Sequence, residues 1–197
     1  MVIRFFDIVF SLTGLILLSP LFLILAILIA FDSKGGIFYL QRRAGKNNRD
    51  FLMIKFRSMK TGSDQKGGLT IGVRDSRITK MGAVLRKYKL DELPQLLNVL
   101  KGDMSLVGPR PEIRKYVDLY TNDQRKVLSV RPGLTDYASI EFIHENDILG
   151  NSPNPEKTYI EEIMPAKICL NMQFINHPTV GNYFSILQKT IKKIVVR

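Results

Sequence analysis

Length, composition and charge restrict the classes of protein to which this chain can belong. Its 197 residues suffice for one domain with a buried core, or for one domain with a membrane anchor. Lysine and arginine outnumber aspartate and glutamate by 29 to 18, and the resulting charge of +11 predicts an acidic partner: nucleic acid, an anionic membrane or a phosphate-bearing substrate. A single cysteine, Cys169, excludes an intramolecular disulfide, and only two histidines argue against a structural zinc site.

A long apolar segment near the N-terminus predicts a membrane anchor. Residues 8–31 form a run of 24 residues without a charge, and an unbroken helix of that length would measure roughly 36 Å, enough to span a bilayer core. Ser19 and Pro20 interrupt the run. Because proline removes a backbone hydrogen bond, we expect a bend there, with the Ser19 hydroxyl satisfying a freed carbonyl. Length alone favours a kinked spanning helix, but the bend also allows a hairpin. The basic residues that follow predict a cytoplasmic location for the downstream side.

The remaining elements are predicted from periodicity and turn residues. Alternating patterns predict a β-hairpin. Helical spacing at 77–90 predicts a basic amphipathic helix that could lie either on anionic headgroups or on the core. We expect strands at 36–43 and 50–57, a loop at 60–74, helices at 77–90, 112–120 and 122–129, a turn at 131–135, a helical stretch at 159–176, and a basic amphipathic helix at 180–197.

Two adjacent carboxylates form the centre of the candidate site. Asp91 and Glu92 are predicted to open a short helix, with Pro94 in its first turn and Gly102 ending it. Unpaired N–H groups at a helix N-terminus lower the pKa of a nearby carboxyl, so we expect both to be ionised at pH 7. Neighbouring positions on a helix point about 100° apart, which predicts separate roles for the two side chains.

A rigid arginine follows the same helix. Arg110 lies between Pro109 and Pro111, which fix the backbone around it. Arginine is suited to two-pronged binding of phosphate, so a stiffly held arginine close to an anionic pair indicates phosphoryl chemistry.

The same residues carry a resemblance to a known family. Residues 91–96 (DELPQL), 98–105 (NVLKGDMS) and 107–111 (VGPRP) resemble the signature of the bacterial monotopic phosphoglycosyl transferases, also called initiating sugar transferases. The resemblance implies a mostly helical α+β fold with a small β-hairpin and amphipathic helices on the membrane surface. It also implies that the N-terminal segment is re-entrant and is broken at a Ser-Pro pair, which Ser19 and Pro20 match. We therefore expect an anchor at 1–33 and a catalytic domain at 34–197 on the cytoplasmic face of the bacterial inner membrane.

The resemblance further implies a reaction. Asp91 would attack the sugar-bearing phosphate of a UDP-sugar and release UMP, and polyprenyl phosphate would then take the phosphosugar from the aspartate. Glu92 would be a ligand of Mg²⁺, which usually needs only one or two carboxylates besides phosphate oxygens and water. The expected substrate-binding residues all carry a positive charge and fall in motifs similar to those of the family: Lys55, Arg57, Arg86, Arg110 and Arg131.

The resemblance weakens after Thr135, where the commoner members continue with a different sequence. Here Glu141, Glu145 and Asp147 could bond sugar hydroxyls or amides, or could simply be solvated. Two other classes stay open: a non-catalytic membrane-surface protein that binds lipid phosphates, and a membrane-tethered nucleic-acid binder. The second is disfavoured because the basic stretches contain few aromatic residues and no nucleic-acid motif.

Overall fold

The computed structural model describes residues 2–63 and 75–195, and the fold is α+β and mostly helical, as predicted. In chain order the helices and strands are α1 (Val2–Leu17), α2 (Ser19–Asp32), β1 (Phe38–Ala44), β2 (Asp50–Phe56), α3 (Lys80–Lys87), α4 (Gln95–Lys101), β3 (Ser105–Val107), α5 (Arg114–Val117), β4 (Gly133–Thr135), α6 (Tyr137–Glu141), α7 (Glu145–Gly150), α8 (Pro155–Thr158), α9 (Met164–Asn176) and α10 (Val180–Val195). Most of the loop expected at 60–74 lies outside the described residues.

The apolar N-terminal segment forms two helices that meet at the predicted break. Helix α1 ends at Leu17, α2 begins at Ser19, and the two axes are bent by 61°. The Ser19 hydroxyl donates to the carbonyl of Ile16 at 2.8 Å, which confirms the expected role of that side chain. Among the described helices, none is by itself long and apolar enough to cross a bilayer, whereas the bent pair meets the length and composition criterion together.

The predicted β-hairpin is present, and a second sheet was not predicted. Strands β1 and β2 pair antiparallel, with Phe38 opposite Phe56 and Ala44 opposite Asp50. Strand β4 pairs parallel with β3, so the prediction of a simple turn at 131–135 was wrong. The two backbones approach so closely beyond β3 that a Cβ atom on Gly133 would lie 2.1 Å from the amide nitrogen of Gly108. Only glycine fits that contact.

Buried polar groups of α1 join it to the rest of the fold. The Asp7 carboxylate is 2% exposed; its Oδ1 accepts hydrogen bonds from Ser105 Oγ (2.9 Å), the Leu106 amide (2.9 Å) and Tyr183 Oη (3.0 Å). Arg4 donates to the carbonyls of Val99 and Leu100 at the end of α4. Helix α1 is therefore fixed to α4, β3 and α10.

The apolar side chains pack in three clusters. The cluster around Val99 and Tyr183 includes Phe6 of α1, and the cluster around Leu85 and Phe56 includes Ile29 of α2. Side chains on both sides of the predicted division at residue 33 thus share the same clusters. A third cluster joins α5, α7 and α9 and includes Tyr116, Leu149 and Ile168, together with Tyr159 and Ile163 just before α9.

Several predicted helices are shorter or differ in type. The helix expected at 112–120 is confined to α5, and the one expected at 122–129 is a 3₁₀ segment, Gln124–Ser129. A π-helical turn, Tyr159–Ile163, joins α8 to α9 without a break in the helical backbone, and Pro165, which has no N–H to donate, lies just after that turn.

Candidate active site

The two adjacent carboxylates lie in a tight turn between α3 and α4. Leu90–Glu92 form one 3₁₀ turn, entered through Lys89 in a left-handed conformation (φ 58°). Helix α4 begins three residues after Glu92, with Pro94 in front of it and Gly102 behind it in a left-handed conformation (φ 100°). The prediction that Asp91 and Glu92 open this helix was therefore wrong, because Pro94 ends one turn and starts the next.

The carboxylate of Glu92 is held by two basic side chains. Arg110 Nη1 donates to Glu92 Oε2 at 3.0 Å and Nη2 donates to Oε1, while Lys55 Nζ lies 3.3 Å from Oε1. Burial opposes ionisation of Glu92, but the charges of Arg110 and Lys55 outweigh it and hold the pKa of Glu92 well below its ordinary value. Glu92 is therefore ionised at pH 7, as expected, but the cause is these two cations and not the N–H groups of a helix N-terminus.

Asp91 has the opposite environment. Its side chain is 8% exposed and lines a cavity of about 460 Å³, and its carboxylate accepts no hydrogen bond from any residue that the structure describes. Burial raises the pKa of Asp91 and the adjacent Glu92 raises it further, against the lowering effect of Lys55 and Arg86. The expectation of a lowered pKa at this position was wrong. The two carboxylates thus differ in environment, and their separate roles stay a prediction.

Several basic side chains line the same cavity as Asp91. Lys55 of β2 and Arg86 of α3 line it, and burial lowers the pKa of Lys55 to about 8 despite the charge of Glu92. The further basic residues along the wall are Arg43, Arg57, Lys60 and Arg77. An anion with several oxygens, such as a diphosphate, matches this lining.

Arg110 is positioned by the second sheet. Its backbone N–H donates to Asp136 Oδ2 at 2.8 Å, and the neighbouring Gly108 N–H donates to the carbonyl of Thr135 in β4. Asp136 is 2% exposed. The parallel pairing of β3 with β4 thus places the segment 108–111 beside Glu92, as the proline-flanked arginine had suggested.

Two predicted substrate residues have other partners. Arg57 donates to the carbonyls of Ile29 (3.1 Å) and Ser33 (2.5 Å) at the end of α2, although its side chain also lines the cavity. Arg131 donates to the carbonyl of Gly102 at 2.8 Å and is not part of the cavity wall. Ser19 and Pro20 lie at the bend between α1 and α2.

Arg43 was not predicted as a site residue. Its Nη1 donates to the Pro111 carbonyl at 3.1 Å and to Glu112 Oε1 at 3.4 Å, so it supports the segment that carries Arg110. The sequence contained a usable signal. Tyr39 lies opposite Lys55 in the hairpin, and every second residue of a strand points to the same face, so Arg43 lies on the face that carries Tyr39 and Lys55. Asp136 had no comparable signal, since its contact depends on the unpredicted sheet.

The carboxylates are compatible with Mg²⁺. Within the described ranges, no group of three or more His, Cys, Asp or Glu side chains forms a metal-binding cluster. Mg²⁺ needs only one or two carboxylates when phosphate oxygens and water supply its other ligands. Both oxygens of Glu92 accept bonds from Arg110 or Lys55, but a carboxylate offers about four lone-pair positions, so a metal could still share it.

A free carboxylate facing several guanidinium and ammonium groups is typical of phosphoryl-transfer sites. Comparison with known proteins agrees with that class. A family profile described as "Bacterial sugar transferase" matches residues 1–197 of this chain. This chain belongs to that family.

Curated relatives give the same family in words. The chain is 46% identical over 142 residues to a UDP-N-acetylgalactosamine-undecaprenyl-phosphate N-acetylgalactosaminephosphotransferase of Aeromonas hydrophila, covering 70% of this chain and 33% of that protein. It is 43% identical over 195 residues to the exopolysaccharide production protein PSS of Rhizobium leguminosarum bv. phaseoli, covering 95% of this chain and 90% of that protein. It is 39% identical over 153 residues to a UDP-glucose:undecaprenyl-phosphate glucose-1-phosphate transferase of Xanthomonas campestris pv. campestris (75% and 30%). The match thus spans about a third of the Aeromonas and Xanthomonas proteins.

Proposed function

We propose that the protein transfers a sugar 1-phosphate from a UDP-sugar to polyprenyl phosphate, as the first membrane step in assembly of a glycoconjugate. The observation that carries the proposal is the difference between Asp91, whose carboxylate is free in the cavity, and Glu92, which is held by Arg110 and Lys55. The relatives' names support it, because they give undecaprenyl phosphate as acceptor and UDP-N-acetylgalactosamine or UDP-glucose as donor.

The reaction would proceed in two phosphoryl transfers. A carboxylate oxygen of Asp91 attacks the sugar-bearing phosphorus, the bond from that phosphorus to the bridging oxygen breaks, and UMP leaves with the bonding electrons. An oxygen of polyprenyl phosphate then attacks the same phosphorus and displaces Asp91. A carboxylate without hydrogen bonds keeps its lone pairs available for such an attack.

The basic residues would stabilise the charge of both steps. The charges of Lys55, Arg86 and Arg110 lower the pKa of Asp91, so they act on its carboxylate. Preorganised cations of this kind supply most of the catalysis in phosphoryl transfer. Mg²⁺ bound by Glu92 would neutralise further charge on the diphosphate.

We also propose that α1 and α2 enter the inner membrane from the cytoplasmic face and return to it. Large apolar side chains of the pair face outward, with Phe31 88% exposed, Leu17 72% and Leu23 64%. Such a surface is typical of a membrane contact. The polar contacts of Arg4 and Asp7 hold the beginning of α1 against the catalytic part, which supports a return to the same face.

The decisive experiment is a test of UMP release by the purified, detergent-solubilised protein with undecaprenyl phosphate, Mg²⁺ and a panel of UDP-sugars. We expect UMP from at least one donor, none without Mg²⁺, and none from Asp91→Asn. Asp123→Asn is a matched control, because Asp123 is exposed and pairs with Lys126 at the surface. Full activity of Asp91→Asn would exclude the covalent mechanism. Folded wild-type protein that releases no UMP with any donor but binds lipid phosphate would instead support a non-catalytic lipid-binding function.

A further inference from the structure

Asn98 is a buried polar side chain that has no part in the reaction as proposed above. It lies in α4 and is 1% exposed. A polar side chain in such a place is unfavourable unless its hydrogen bonds are made. The bonds that Asn98 makes therefore indicate what its amide group does in the fold.

Both ends of the Asn98 amide are bonded to one edge of strand β2. The Ile54 amide N–H donates to Asn98 Oδ1 at 2.9 Å, and Asn98 Nδ2 donates to the carbonyl of Leu52 at 2.8 Å. Among the described residues the hairpin sheet has two strands, and β2 pairs with β1 along its other edge. A primary amide offers an acceptor and a donor side by side, so Asn98 takes the place of a third strand.

The backbone of Asn98 is fixed at the end of α4. Its carbonyl accepts hydrogen bonds from the amides of Gly102, Asp103 and Met104, at 3.0 to 3.2 Å. Its Nδ2 also lies 3.4 Å from Asp103 Oδ2. Because Asn98 is itself held in this way, its amide group holds β2 at a fixed place along α4.

Strand β2 and helix α4 carry or adjoin the charged groups of the site. Lys55 follows directly after Ile54 in β2, and α4 follows the turn that contains Asp91 and Glu92. Lys55 Nζ lies 3.3 Å from Glu92 Oε1, and its charge also acts on Asp91. A lysine ammonium sits on a long flexible stem, so its position depends on how firmly the backbone beneath it is held.

We propose that Asn98 is a positioning residue for the phosphoryl transfer, which sets the place of Lys55 relative to Asp91 and Glu92 by fixing β2 against α4. This inference rests on the proposed function. Asn98 does not line the cavity and needs no contact with the substrate, because it acts through Lys55. Removing its amide should therefore slow the reaction only while Lys55 is present to be displaced.

The test is a double-mutant cycle on UMP release. We expect Lys55→Met to lower kcat by about 10²-fold and Asn98→Leu by about 10-fold, with the KM for the UDP-sugar changed by less than about threefold in Asn98→Leu. The double variant should lie within about threefold of Lys55→Met alone, because no ammonium is then left to misplace.

A second cycle with Arg86 is the matched comparison. Arg86 also acts on Asp91, but it lies on α3, whereas the bonds of Asn98 go to β2 and to the end of α4. Asn98→Leu should lower kcat by the same factor, within about twofold, in Arg86→Met as in the wild type. Asn171→Leu controls for the substitution itself, because Asn171 is another buried asparagine in a helix, and it should leave kcat unchanged.

Hydrogen exchange gives a readout that does not depend on turnover. In Asn98→Leu the Ile54 amide loses its acceptor, so the peptide that spans β2 should gain one rapidly exchanging amide. Asn98→Asp keeps the size of the side chain and an acceptor, so that amide should stay protected. If Asn98→Leu does not fold, Asn98→Asp, which loses the donor to Leu52, takes its place in both cycles.

The inference would be overturned by any of the following results. An equal fractional loss of kcat in the wild type and in Lys55→Met would show that Asn98 does not act through Lys55. Unchanged kcat in Asn98→Leu, with the Ile54 amide exchanging rapidly, would show that Lys55 is positioned without this contact. Unchanged exchange would show that the contact is not made. A wild-type protein that releases no UMP with any donor would refute the proposed function as well, and that failure would be seen before any variant is made.

Discussion

At the scale of residues, two neighbouring carboxylates are placed in opposite environments by one tight turn. Glu92 points toward Arg110 and Lys55, whereas Asp91 points into the cavity. Arg110 contacts both oxygens of Glu92 with two nitrogens and so holds the turn in place. The geometry of the guanidinium therefore matters as well as its charge.

Replacing Arg110 by lysine tests that geometry. Arg110→Lys keeps the positive charge but cannot reach both oxygens of Glu92, so we expect kcat/KM for UMP release to fall by about 10²-fold while the thermal unfolding midpoint changes little. Arg114→Lys is the control, because Arg114 makes a similar contact with Asp50 and Asn48 at the surface. Equal activities of the two variants would show that only charge is needed at position 110.

The site residues were predictable to the extent that they lie in a continuous motif. Asp91, Glu92 and Arg110 are brought together as expected, because the turn, helix α4 and strand β3 that separate them are short and rigid. Arg57 and Arg131 look equivalent to Lys55 and Arg110 in sequence, yet each binds a backbone carbonyl at a helix end. Whether an arginine binds a substrate or a carbonyl at a helix end depends on tertiary contacts, which the local sequence does not reveal.

At the scale of elements, helix α1 is held by a buried carboxylate with three hydrogen bonds. Asp7 joins α1 to β3 through Ser105 and Leu106, and to α10 through Tyr183. A buried polar group is unfavourable unless it is hydrogen-bonded, so these three bonds specify one position of α1 against the rest of the fold.

Removing that carboxylate tests its contribution to stability. Asp7→Ala leaves three buried donors without an acceptor, and we expect the free energy of unfolding to fall by about 3 kcal/mol. Asp7→Asn keeps one acceptor oxygen and should cost less, and Tyr183→Phe removes one donor and should cost about 1 kcal/mol. Denaturant unfolding in detergent micelles would measure all three. If Asp7→Ala lowers the free energy of unfolding by less than Tyr183→Phe does, the hydrogen-bond network is contradicted.

The β-hairpin was predictable and the β3–β4 sheet was not, for a physical reason. Alternating residues around a polar turn give the hairpin a local signal. Strands β3 and β4 have three residues each, are fully or largely buried, and pair in parallel across α5 and a 3₁₀ segment. A three-residue strand is too short for an alternating pattern to distinguish it from a turn, so the pairing follows only from the whole fold.

At the scale of the whole molecule, several buried tyrosines give stability a dependence on alkaline pH. Burial raises the pKa of Tyr116 to about 12, with contributions from Glu156 and Glu112, and burial also raises the pKa of Tyr120, Tyr159 and Tyr183. Because the folded pKa lies above the unfolded value of about 10, the stability is fully present below pH 10 and is lost as the pH rises toward 12.

Thermal unfolding between pH 9 and pH 11.5 would check this dependence. We expect the midpoint to fall steeply above pH 10, and Tyr116→Phe to make the fall shallower by removing one of the groups that must ionise. Tyr88→Phe is the control, because Tyr88 is 60% exposed. The same slope in wild type and Tyr116→Phe would show that Tyr116 titrates without cost in the folded protein.

The membrane topology can be tested in the same intact chain. After Cys169→Ser, single cysteines at Val2 and Lys34 would be labelled with a membrane-impermeant maleimide in right-side-out and inverted vesicles. A re-entrant pair predicts labelling of both positions only in inverted vesicles, because both would lie on the cytoplasmic face. Labelling of the two positions in opposite vesicle preparations would establish a spanning segment instead.

The attachment of Arg4 to the last carbonyls of α4 has a consequence for how the protein can be handled. Helix α4 follows the turn that carries Asp91, so Arg4 braces the segment on which the proposed reaction depends. Deleting α1 and α2 to obtain a more soluble protein would remove side chains from two apolar clusters and would also remove Arg4, which donates to the carbonyls of Val99 and Leu100. Helices α1 and α2 thus form one folding unit with the rest of the fold, and a protein solubilised by redesigning their outward-facing side chains should survive where a truncated one fails.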